Sequence, residues 1–519
     1  QFINCCGGAL VADVPDTADK RIGDCKPKVE PALVHPPSVG LLCAAILMPM
    51  MLVDAGAAVR TFSAGPGPHF RINGESTFLI GNREGFVGGD WNHEYWNQYD
   101  PELDYGEYIA RMVDAGINWV RANGISMAEG AGRVHAANTR PDAPNYPPKP
   151  PFTRRPWLRT GPGVAWDGLP KYDLTRFDPR YFERLTDFVD QCNASGIVVE
   201  FILFHQHNIY QIPDHYADNP FRPENNINDV ELPTGQPTAY PDFYDETKTR
   251  LRGLQIAYVD RVLEAIGGRA VIFTIADEYN WTAEWIRGWA RHIREFGRAR
   301  GLDLVVQLGA AHEPTMTLAA VGGVDSFDLS HYAITPQGAV HSVPIREHTR
   351  LSNALSDADF ELETEHSTLL AMVQGPGRPC VREGRADRQA FWTALVSGAA
   401  GFYYHGFWQY GGEASTNRSI RRVLERLGDL SGLAPHDDLV DSEQGRAWAL
   451  AEPGKRYLVY VEGTEAITLR TGGAQGLVAQ WFDPRGSTFG PETEVGVDPG
   501  VRLPVPDRQD WVLLVRPGR

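Results

Sequence analysis

Cysteine is scarce in this sequence, and most of it lies near the beginning. Only Cys192 and Cys380 fall beyond residue 43, the position of the fourth of the six cysteines. A disulfide-stapled scaffold needs many closely spaced cysteines, and structural zinc sites need cysteine or histidine ligands in tight groups. The chain therefore predicts neither a disulfide framework nor a cysteine-based metal site, and we expect the two later cysteines to be free or buried thiols.

Basic residues are also fewer than acidic residues. Lys and Arg number 49 against 66 Asp and Glu, which gives a formal net charge of -17. Nucleic-acid binding needs clustered cations that displace counterions from the phosphates. The charge balance therefore argues against a nucleic-acid partner and favours a neutral or polymeric substrate.

One apolar run stands apart from the rest of the chain. Residues 39–53 are too few for a typical membrane span and are interrupted by Pro49, and an Ala-Gly-Ala sequence follows at 55–57. We therefore expect residues 1–60 to be a leader with a signal peptide, and the mature protein to be secreted without stable membrane association. The nearest upstream lysines are distant for a signal peptide, so a membrane-anchored form stays open.

Short apolar runs alternate with amphipathic stretches between residues 70 and 430, as in repeated β/α units. In one predicted helix Trp285, Trp289 and Ile293 recur every four residues, which is typical of a core stripe. The number of units predicts an α/β fold, a (β/α)8 TIM barrel over residues 61–440, and a doubly wound sheet is the less favoured alternative. The predicted strands are TFLIGN from Thr77, INWVRA from Ile117, IVVEFILF from Ile197, AVIFTIA from Ala270, DLVVQLG from Asp303, SFDLSHY from Ser326, DFELETE from Asp359 and GFYYHGF from Gly401.

The pattern changes after residue 440 to short strands with period-2 alternation, such as RYLVYVE and DWVLLVR, separated by Gly, Pro and Asp. This pattern predicts a small antiparallel β-sandwich domain over residues 441–519. Because its strands do not end in clustered acids, we expect the sandwich to bind or brace rather than to catalyse.

Acidic residues end two of the predicted barrel strands. Asp277 and Glu278 follow the fourth strand, and Glu365 ends the predicted seventh, while Arg121 and Asn123 end the second. Catalytic groups of barrel enzymes lie at the carboxyl ends of the strands, and hydrolysis of a glycosidic bond needs two carboxyl groups across the mouth. Glu278 and Glu365 are therefore the predicted catalytic pair.

The predicted seventh strand carries acids at every second position. Glu361, Glu363 and Glu365 would share its inner face, where their mutual repulsion requires a nearby cation. Arg121 and Arg83, each at a strand end, are the candidates. We interpret Glu361 and Glu363 as buried ion-pair partners and assign the catalytic role to Glu365 alone.

Several motifs in order along residues 70–516 resemble a known group. They are PWLRTGPG, YFERLTDFV, NNIND, RQAFWTALVSGAAGFYYHGFWQYG and WFDPRG. With a Glu after strand four and a Glu ending strand seven, the chain resembles the retaining clan A glycoside hydrolases. More narrowly, it resembles the apiosidase-like hydrolases that carry a C-terminal β-sandwich of the type named for collagen binding.

The resemblance implies a role for each matching position. Glu278 would be the acid/base and Glu365 the nucleophile, with Arg121 near it, Tyr332 holding it through a hydroxyl, and Trp408 flooring the sugar subsite. Clan A enzymes usually have Asn before the acid/base, where this chain has Asp277. The choice between Asp277 and Glu278 as the acid therefore stays open.

Histidines also follow predicted strands. His205 and His207 lie in FHQHN after the third strand, and His405 follows the eighth. We favour contacts to sugar hydroxyls over metal ligation for them, because acids at ligand spacing do not accompany them. The implied partner is an oligosaccharide or polysaccharide, without a cofactor.

Two other classes of function stay open. One is a non-catalytic carbohydrate-binding or adhesion protein on the same barrel. The other is a metal-dependent hydrolase of the amidohydrolase kind, which would need His-x-His after the first strand, where this chain has Gly81-Asn82-Arg83.

Overall fold

The structure is a computed structural model, and it describes most of the chain beyond residue 56. The described residues are 57–82, 105–125, 155–166, 168–206, 209, 216–217, 219–236, 238–279, 281–310, 321–330, 332–334, 340–342, 366–367, 369–370, 377–383, 388–404 and 413–518. The apolar run at 39–53 lies outside them. Within these ranges, no helix is both long and apolar enough to cross a membrane.

Strands and helices alternate through the first three quarters of the described chain, and strands alone follow. In chain order the elements are β1 (Phe62–Ser63), β2 (Phe70–Ile72), β3 (Glu75–Thr77), β4 (Leu79–Asn82), α1 (Tyr105–Asp114), β5 (Trp119–Asn123), β6 (Trp157–Val164), β7 (Pro170–Phe177), α2 (Pro179–Ala194), β8 (Val198–His205), α3 (Thr249–Ile266), β9 (Val271–Asp277), α4 (Ala283–Arg300), β10 (Val305–Leu308), β11 (Ser326–Asp328), β12 (Tyr332–Ile334), β13 (Val340–Ser342), β14 (Cys380–Glu383), α5 (Arg388–Val396), β15 (Gly401–Tyr404), α6 (Glu413–Leu427), β16 (Ala434–Pro435), β17 (Val440–Ser442), β18 (Arg446–Glu452), β19 (Arg456–Glu462), β20 (Ala466–Arg470), β21 (Leu477–Asp483), β22 (Thr488–Glu494), β23 (Gly500–Pro504) and β24 (Trp511–Pro517).

Eight parallel strands close into a barrel. Their order around it is β4, β5, β8, β9, β10, β11, β14 and β15, and β15 pairs back onto β4. We call them the first to eighth barrel strands. The predicted (β/α)8 barrel is confirmed, and the carboxyl ends of these strands define its mouth.

The seventh barrel strand differs from the prediction. The sixth strand pairs directly with β14, with Phe327 opposite Cys380, so the barrel closes without DFELETE. The assignment of that segment as strand seven was wrong, and residues 359–365 themselves lie outside the described residues. The reason is physical: DFELETE alternates over seven residues, whereas CVRE has only four and follows a proline. A strand closed on both sides by neighbours can be this short, because pairing rather than local pattern fixes it.

The helices form because of caps and apolar stripes that the sequence carries. In α4 the Thr282 side chain accepts a hydrogen bond from the Trp285 amide, and Gly301 ends the helix at a φ of 67°. Trp285, Trp289 and Ile293 are fully or almost fully buried against the barrel. Their prediction as a core stripe is confirmed.

The amino-terminal end of the barrel interior is apolar. Leu79, Trp119, Val198 and Ile272 pack there in one cluster, together with Phe70 from the small sheet β1–β3. This apolar layer closes the barrel below the polar groups described in the next section. Those polar groups are thereby cut off from water on that side.

Two antiparallel sheets follow the barrel. One has the order β16-β18-β19-β24-β21-β22 and the other β17-β20-β23, with Val459, Leu469 and Leu513 among the residues packed between them. These sheets confirm the predicted antiparallel β-sandwich.

The sandwich shares its packing with the barrel helices. Trp392 of α5 belongs to the same apolar cluster as Tyr460 and Leu514 of the sandwich. At the edge of this contact the Arg388 guanidinium donates to both carboxylate oxygens of Asp510, at 2.6 and 3.0 Å. The sandwich is therefore packed against the barrel helices through an apolar contact with an ion pair at its edge.

Candidate active site

A buried ionic cluster occupies the barrel interior above the apolar layer. Arg121 of the second strand lies 3.1 Å from Glu200 (Nε to Oε2), 3.2 Å from Asp277 (Nη2 to Oδ2) and 3.6 Å from Asp328 (Nη2 to Oδ2). All four side chains are at most 2% exposed. Three acids from the third, fourth and sixth strands thus meet one guanidinium.

Neutral side chains donate hydrogen bonds to the other carboxyl oxygen of Glu200. Its Oε1 accepts hydrogen bonds from the Thr274 hydroxyl at 2.7 Å and from the Gln307 amide at 3.1 Å. Ser326 in turn donates to Gln307. This network extends across the third to sixth strands and holds the Glu200 carboxyl in one orientation.

Asp328 is held by a second set of donors. The Tyr403 hydroxyl donates to its Oδ2 at 2.7 Å, and the Ser330 amide donates to its Oδ1 at 3.0 Å. The Tyr403 ring also lies against Arg121, with Cζ 4.4 Å from the ring centroid. Tyr403 therefore links the eighth strand to both charged partners.

The cluster shifts the pKa values of its members. Burial raises the pKa of Glu200 to about 7, against the opposing effect of Arg121. Burial likewise raises the pKa of Asp328, again opposed by Arg121. Burial alone would lower the pKa of Arg121, but Asp277 and the other carboxylates raise it well above its ordinary value, so Arg121 stays charged.

Glu278 stands at the carboxyl end of the fourth strand in an unusual backbone conformation. Its φ is 53°, in the left-handed region, and the residue is 8% exposed. A side chain other than glycine or asparagine is strained there, and such strain concentrates at functional sites. The left-handed conformation of Glu278 therefore lowers the stability of the folded state, and we interpret it as a feature that positions this carboxyl group.

The two residues that follow the fifth strand hold this strained segment in place. The Gly309 amide donates to the Ala276 carbonyl, the Ala310 amide to Asp277 Oδ1, and the Tyr279 amide to the Ala310 carbonyl. A Cβ added at Gly309 would lie 2.4 Å from the Ala276 oxygen. Only glycine permits this close approach, so Gly309 sets the position of the Asp277–Glu278 pair.

Two more predicted residues lie at the same mouth. His205 ends the third strand, with Nε2 3.5 Å from Asp277 Oδ2 and 8% of its surface exposed. Asn123 ends the second strand, and within the described chain its buried Oδ1 has no hydrogen-bond partner. A buried oxygen without a partner is costly unless a ligand or water satisfies it. Arg121, His205 and Asp277 are thus in contact, and Asn123 and Glu278 lie at strand ends of the same mouth.

The remaining predicted residues are placed only in part or not at all. Tyr332 begins β12, a strand of a hairpin beyond the sixth barrel strand, where its backbone pairs with Ser342. Glu365, His207, His405 and Trp408 lie outside the described residues.

His366 is held between the sandwich and the residues that follow α5. The His366 ring stacks on Trp448 of the sandwich at 4.3 Å, and its two nitrogens lie 2.7 Å from Ser397 Oγ and from Asp437 Oδ2. Ser397 lies between α5 and the eighth strand, at the amino end of that strand. His366 therefore lies at the end of the barrel opposite to the mouth.

The described partners of Arg121 are acids that the sequence did not single out as its partners. They are Glu200, Asp277 and Asp328, whereas the acids of DFELETE, which were expected to need a cation, lie outside the described residues. Sequence reasoning missed Glu200, Asp328 and Tyr403. The available signal was an acid inside an apolar strand, as in VVEFILF, which is costly to bury without a partner.

The described residues offer little for metal ligation. Among them, no three His, Cys, Asp or Glu side chains are grouped so that they could hold a metal ion. Cys192 and Cys380 are buried and free, and burial raises the pKa of the Cys380 thiol to about 12. Neither thiol is therefore a ready nucleophile or ligand.

Comparisons with known proteins place the fold but not the family. Residues 135–316 match the model of a domain of unknown function, DUF6298, and the search of curated proteins found no match. A solved glycoside hydrolase family 5 protein from Bacteroides vulgatus ATCC 8482 superposes with a TM-score of 0.52 at 12% identity, over 88% of this chain and 93% of that one. A candidate glycoside hydrolase from the same organism gives a TM-score of 0.53 at 12% identity, over 90% and 83% of the two chains. At such identities the likeness shows that this chain shares their fold.

Proposed function

We propose that the protein is a retaining glycoside hydrolase acting on O-glycosidic bonds of a plant or microbial oligosaccharide or polysaccharide. The observation that carries the proposal is the strained, almost buried Glu278 at the barrel mouth, where the second and third strands also end in Asn123 and His205. A carboxyl group in such a place can hold or release one proton next to a bound sugar. The fold shared with glycoside hydrolases agrees with this chemistry.

Glu383 replaces Glu365 as the proposed nucleophile. It is the last residue of the seventh barrel strand, and its backbone is in register with Tyr403 of the eighth. Val381, two positions earlier, belongs to the apolar layer inside the barrel. Because strand positions alternate between faces, we expect position 383 to share this inner face, across the mouth from Glu278.

Glu278 is the better candidate than Asp277 for the acid/base. Asp277 already interacts with Arg121 and His205 through Oδ2 and with the Ala310 amide through Oδ1. An oxygen held in this way cannot also reach a leaving-group oxygen without breaking these contacts. Asp277 is therefore assigned to positioning Arg121 and His205.

The proposed reaction has two steps. Glu383 attacks the anomeric carbon while Glu278 protonates the departing glycosidic oxygen, which leaves a glycosyl ester on Glu383. Glu278 then removes a proton from water, and the water displaces Glu383 from the anomeric carbon. Such a double displacement retains the configuration and requires the two carboxyl groups to stand about 5–5.5 Å apart.

The proposed substrate class rests on the resemblance of the sequence to apiosidase-like hydrolases. Furanosides of wall polysaccharides therefore belong in the first substrate panel. The purified protein would be screened on aryl furanosides and pyranosides and on wall polysaccharides, with and without a chelator. Chelator-sensitive activity would favour the metal-dependent alternative. Sugar binding without any turnover across the panel would favour a carbohydrate-binding protein.

Three alanine variants then separate the candidate carboxylates. We expect Glu383→Ala to lose nearly all activity and azide to restore part of it, with a glycosyl azide of inverted configuration. Glu278→Ala should lose about 10²–10⁴-fold on substrates with poor leaving groups, less on good ones, and should give a glycosyl azide of retained configuration. Glu365→Ala is the matched control and should keep its activity. Loss in Glu365→Ala with activity kept in Glu383→Ala would reverse the assignment, and inversion in the first-formed sugar by NMR would remove the mechanism.

We also propose that the protein is exported. The apolar run at 39–53 with its Ala-Gly-Ala sequence supports cleavage near Ala58. N-terminal sequencing of protein secreted by a native-like host should therefore begin near that residue. Recovery of the uncleaved chain from the cytoplasm would contradict export.

A further inference from the structure

A group of aromatic rings reaches the surface beside the proposed acid. Tyr240 is 37% exposed, and its ring meets Trp281 at a centroid distance of 5.5 Å and an angle of 90°. The Tyr244 ring stacks on Trp281 at 6.1 Å and 23°. Tyr240 and Trp281 therefore form an L-shaped apolar corner, which we call the rim platform.

The rim platform is anchored in the core. Tyr244 meets Trp285 edge to face at 5.1 Å, and Trp285 stacks on Tyr279 at 5.4 Å. Trp285 is itself 2% exposed. A surface ring backed by buried rings has little freedom left to lose, so a ligand that stacks on it pays little ordering entropy.

Two loops at the barrel mouth carry the platform. Trp281 lies between the fourth strand and α4, three residues after Glu278, a distance of chain that spans at most about 11 Å. Tyr240 lies between the third strand and α3, and the neighbouring Ala239 amide donates to the carbonyl of Ile209. The loop of Trp281 leaves the carboxyl end of the fourth strand, and the Tyr240 ring contacts Trp281, so both rings lie at the rim on the side of Glu278.

We propose that Tyr240 and Trp281 form the binding platform for the sugar on the leaving-group side of the cleaved bond. This inference rests on the proposed function. In the proposed reaction Glu278 contacts the leaving oxygen, and the nucleophile lies across the mouth from it. The departing sugar is therefore expected on the side of Glu278, over the rim that carries the platform. Flat aromatic rings present an apolar face to the C–H face of a sugar ring, and their core anchoring fixes its orientation.

The experiment compares two substrates of the sugar that the panel identifies. The glycosyl fluoride has a leaving group too small to reach the platform, whereas the disaccharide places a whole sugar on it. The measured quantity is the ratio of kcat/KM for the disaccharide to kcat/KM for the fluoride, in the full-length protein. We expect Tyr240→Ala and Trp281→Ala each to lower this ratio by about tenfold or more.

Matched variants test whether stacking is the cause. Tyr240→Phe keeps the ring and should keep the ratio, and so should Trp511→Ala, which removes a partly exposed tryptophan from the sandwich. Because Tyr240 is substantially exposed, Tyr240→Ala should fold even if Trp281→Ala does not. The comparison of Tyr240→Ala with Tyr240→Phe then decides whether stacking is the cause. Transfer of the glycosyl group from the fluoride to an added sugar acceptor should fall in parallel with the ratio.

The outcomes separate the two proposals. If the unaltered protein hydrolyses neither substrate, the glycosidase and the platform are both refuted. If it hydrolyses both substrates and Tyr240→Ala leaves the ratio unchanged, the platform alone is refuted. An equal loss on both substrates would also refute it, because it would mean that the rings only support Glu278.

Discussion

Replacement of Glu200 by glutamine should change how the stability of the protein depends on pH. The carboxyl group is completely buried, and its pKa rises from 4.5 to about 7, first because of burial. The folded state therefore binds this proton more tightly than the unfolded state does. Stability from this group is fully present below pH 4.5 and is lost as the pH rises towards 7.

The size of the effect follows from the shift. One pKa unit corresponds to about 1.4 kcal/mol, so a rise from 4.5 to about 7 corresponds to about 3 kcal/mol of unfolding free energy. The amide introduced by Glu200→Gln cannot titrate, yet its oxygen can still accept from Thr274 and Gln307. We expect Glu200→Gln and the unaltered protein to be similarly stable near pH 4.5, and the variant to gain up to about 3 kcal/mol relative to it by pH 8.

Urea unfolding followed by tryptophan fluorescence at several pH values would measure this difference. Glu295→Gln is the matched control, because Glu295 is exposed on α4 and its curve should run parallel to that of the unaltered protein. The same pH dependence in Glu200→Gln and the unaltered protein would refute the reasoning. So would a difference that shrinks as the pH rises.

Two further predictions concern packing. Gly309→Ala should lower both activity and stability, because its Cβ would lie 2.4 Å from the Ala276 oxygen. Gly253→Ala, on the open surface of α3, should instead raise the unfolding free energy by up to about 1 kcal/mol. Equal effects of the two substitutions in thermal melts and turnover assays would contradict this pair of predictions. Deletion of the chain from Ser442 onward should cause aggregation, measurable by size-exclusion chromatography, because it uncovers Trp392 on α5; a monodisperse, active truncated protein would show that the sandwich is dispensable.

The sequence predicts best where local pattern and tertiary role coincide. The third and fourth barrel strands are long apolar runs, and the Trp285 stripe has helical period, so both follow from the residues alone. β14 does not, since four residues cannot show a period and a better alternating segment lies nearby. That one displaced strand is the reason why position 365, and not position 383, ended the predicted seventh strand.

The interior of the site was harder to predict for a different reason. Arg121 could be identified as a strand-end cation, but its partners come from three other strands that meet it only after the barrel closes. Local sequence does not encode which acids converge on one point. The left-handed conformation of Glu278 has no local signal either, because glutamate does not favour it and the contacts that hold it come from Gly309 and Ala310, after the fifth strand.

The shared packing of sandwich and barrel limits how this protein could be rebuilt by recombination. A module on a flexible linker searches a volume around its enzyme and can be exchanged at the linker without disturbing either part. Here Trp392 from a barrel helix and Tyr460 from the sandwich belong to one apolar cluster. A different module could be grafted only together with a matching face on α5. The two parts are therefore expected to have been inherited and to have diverged as a pair.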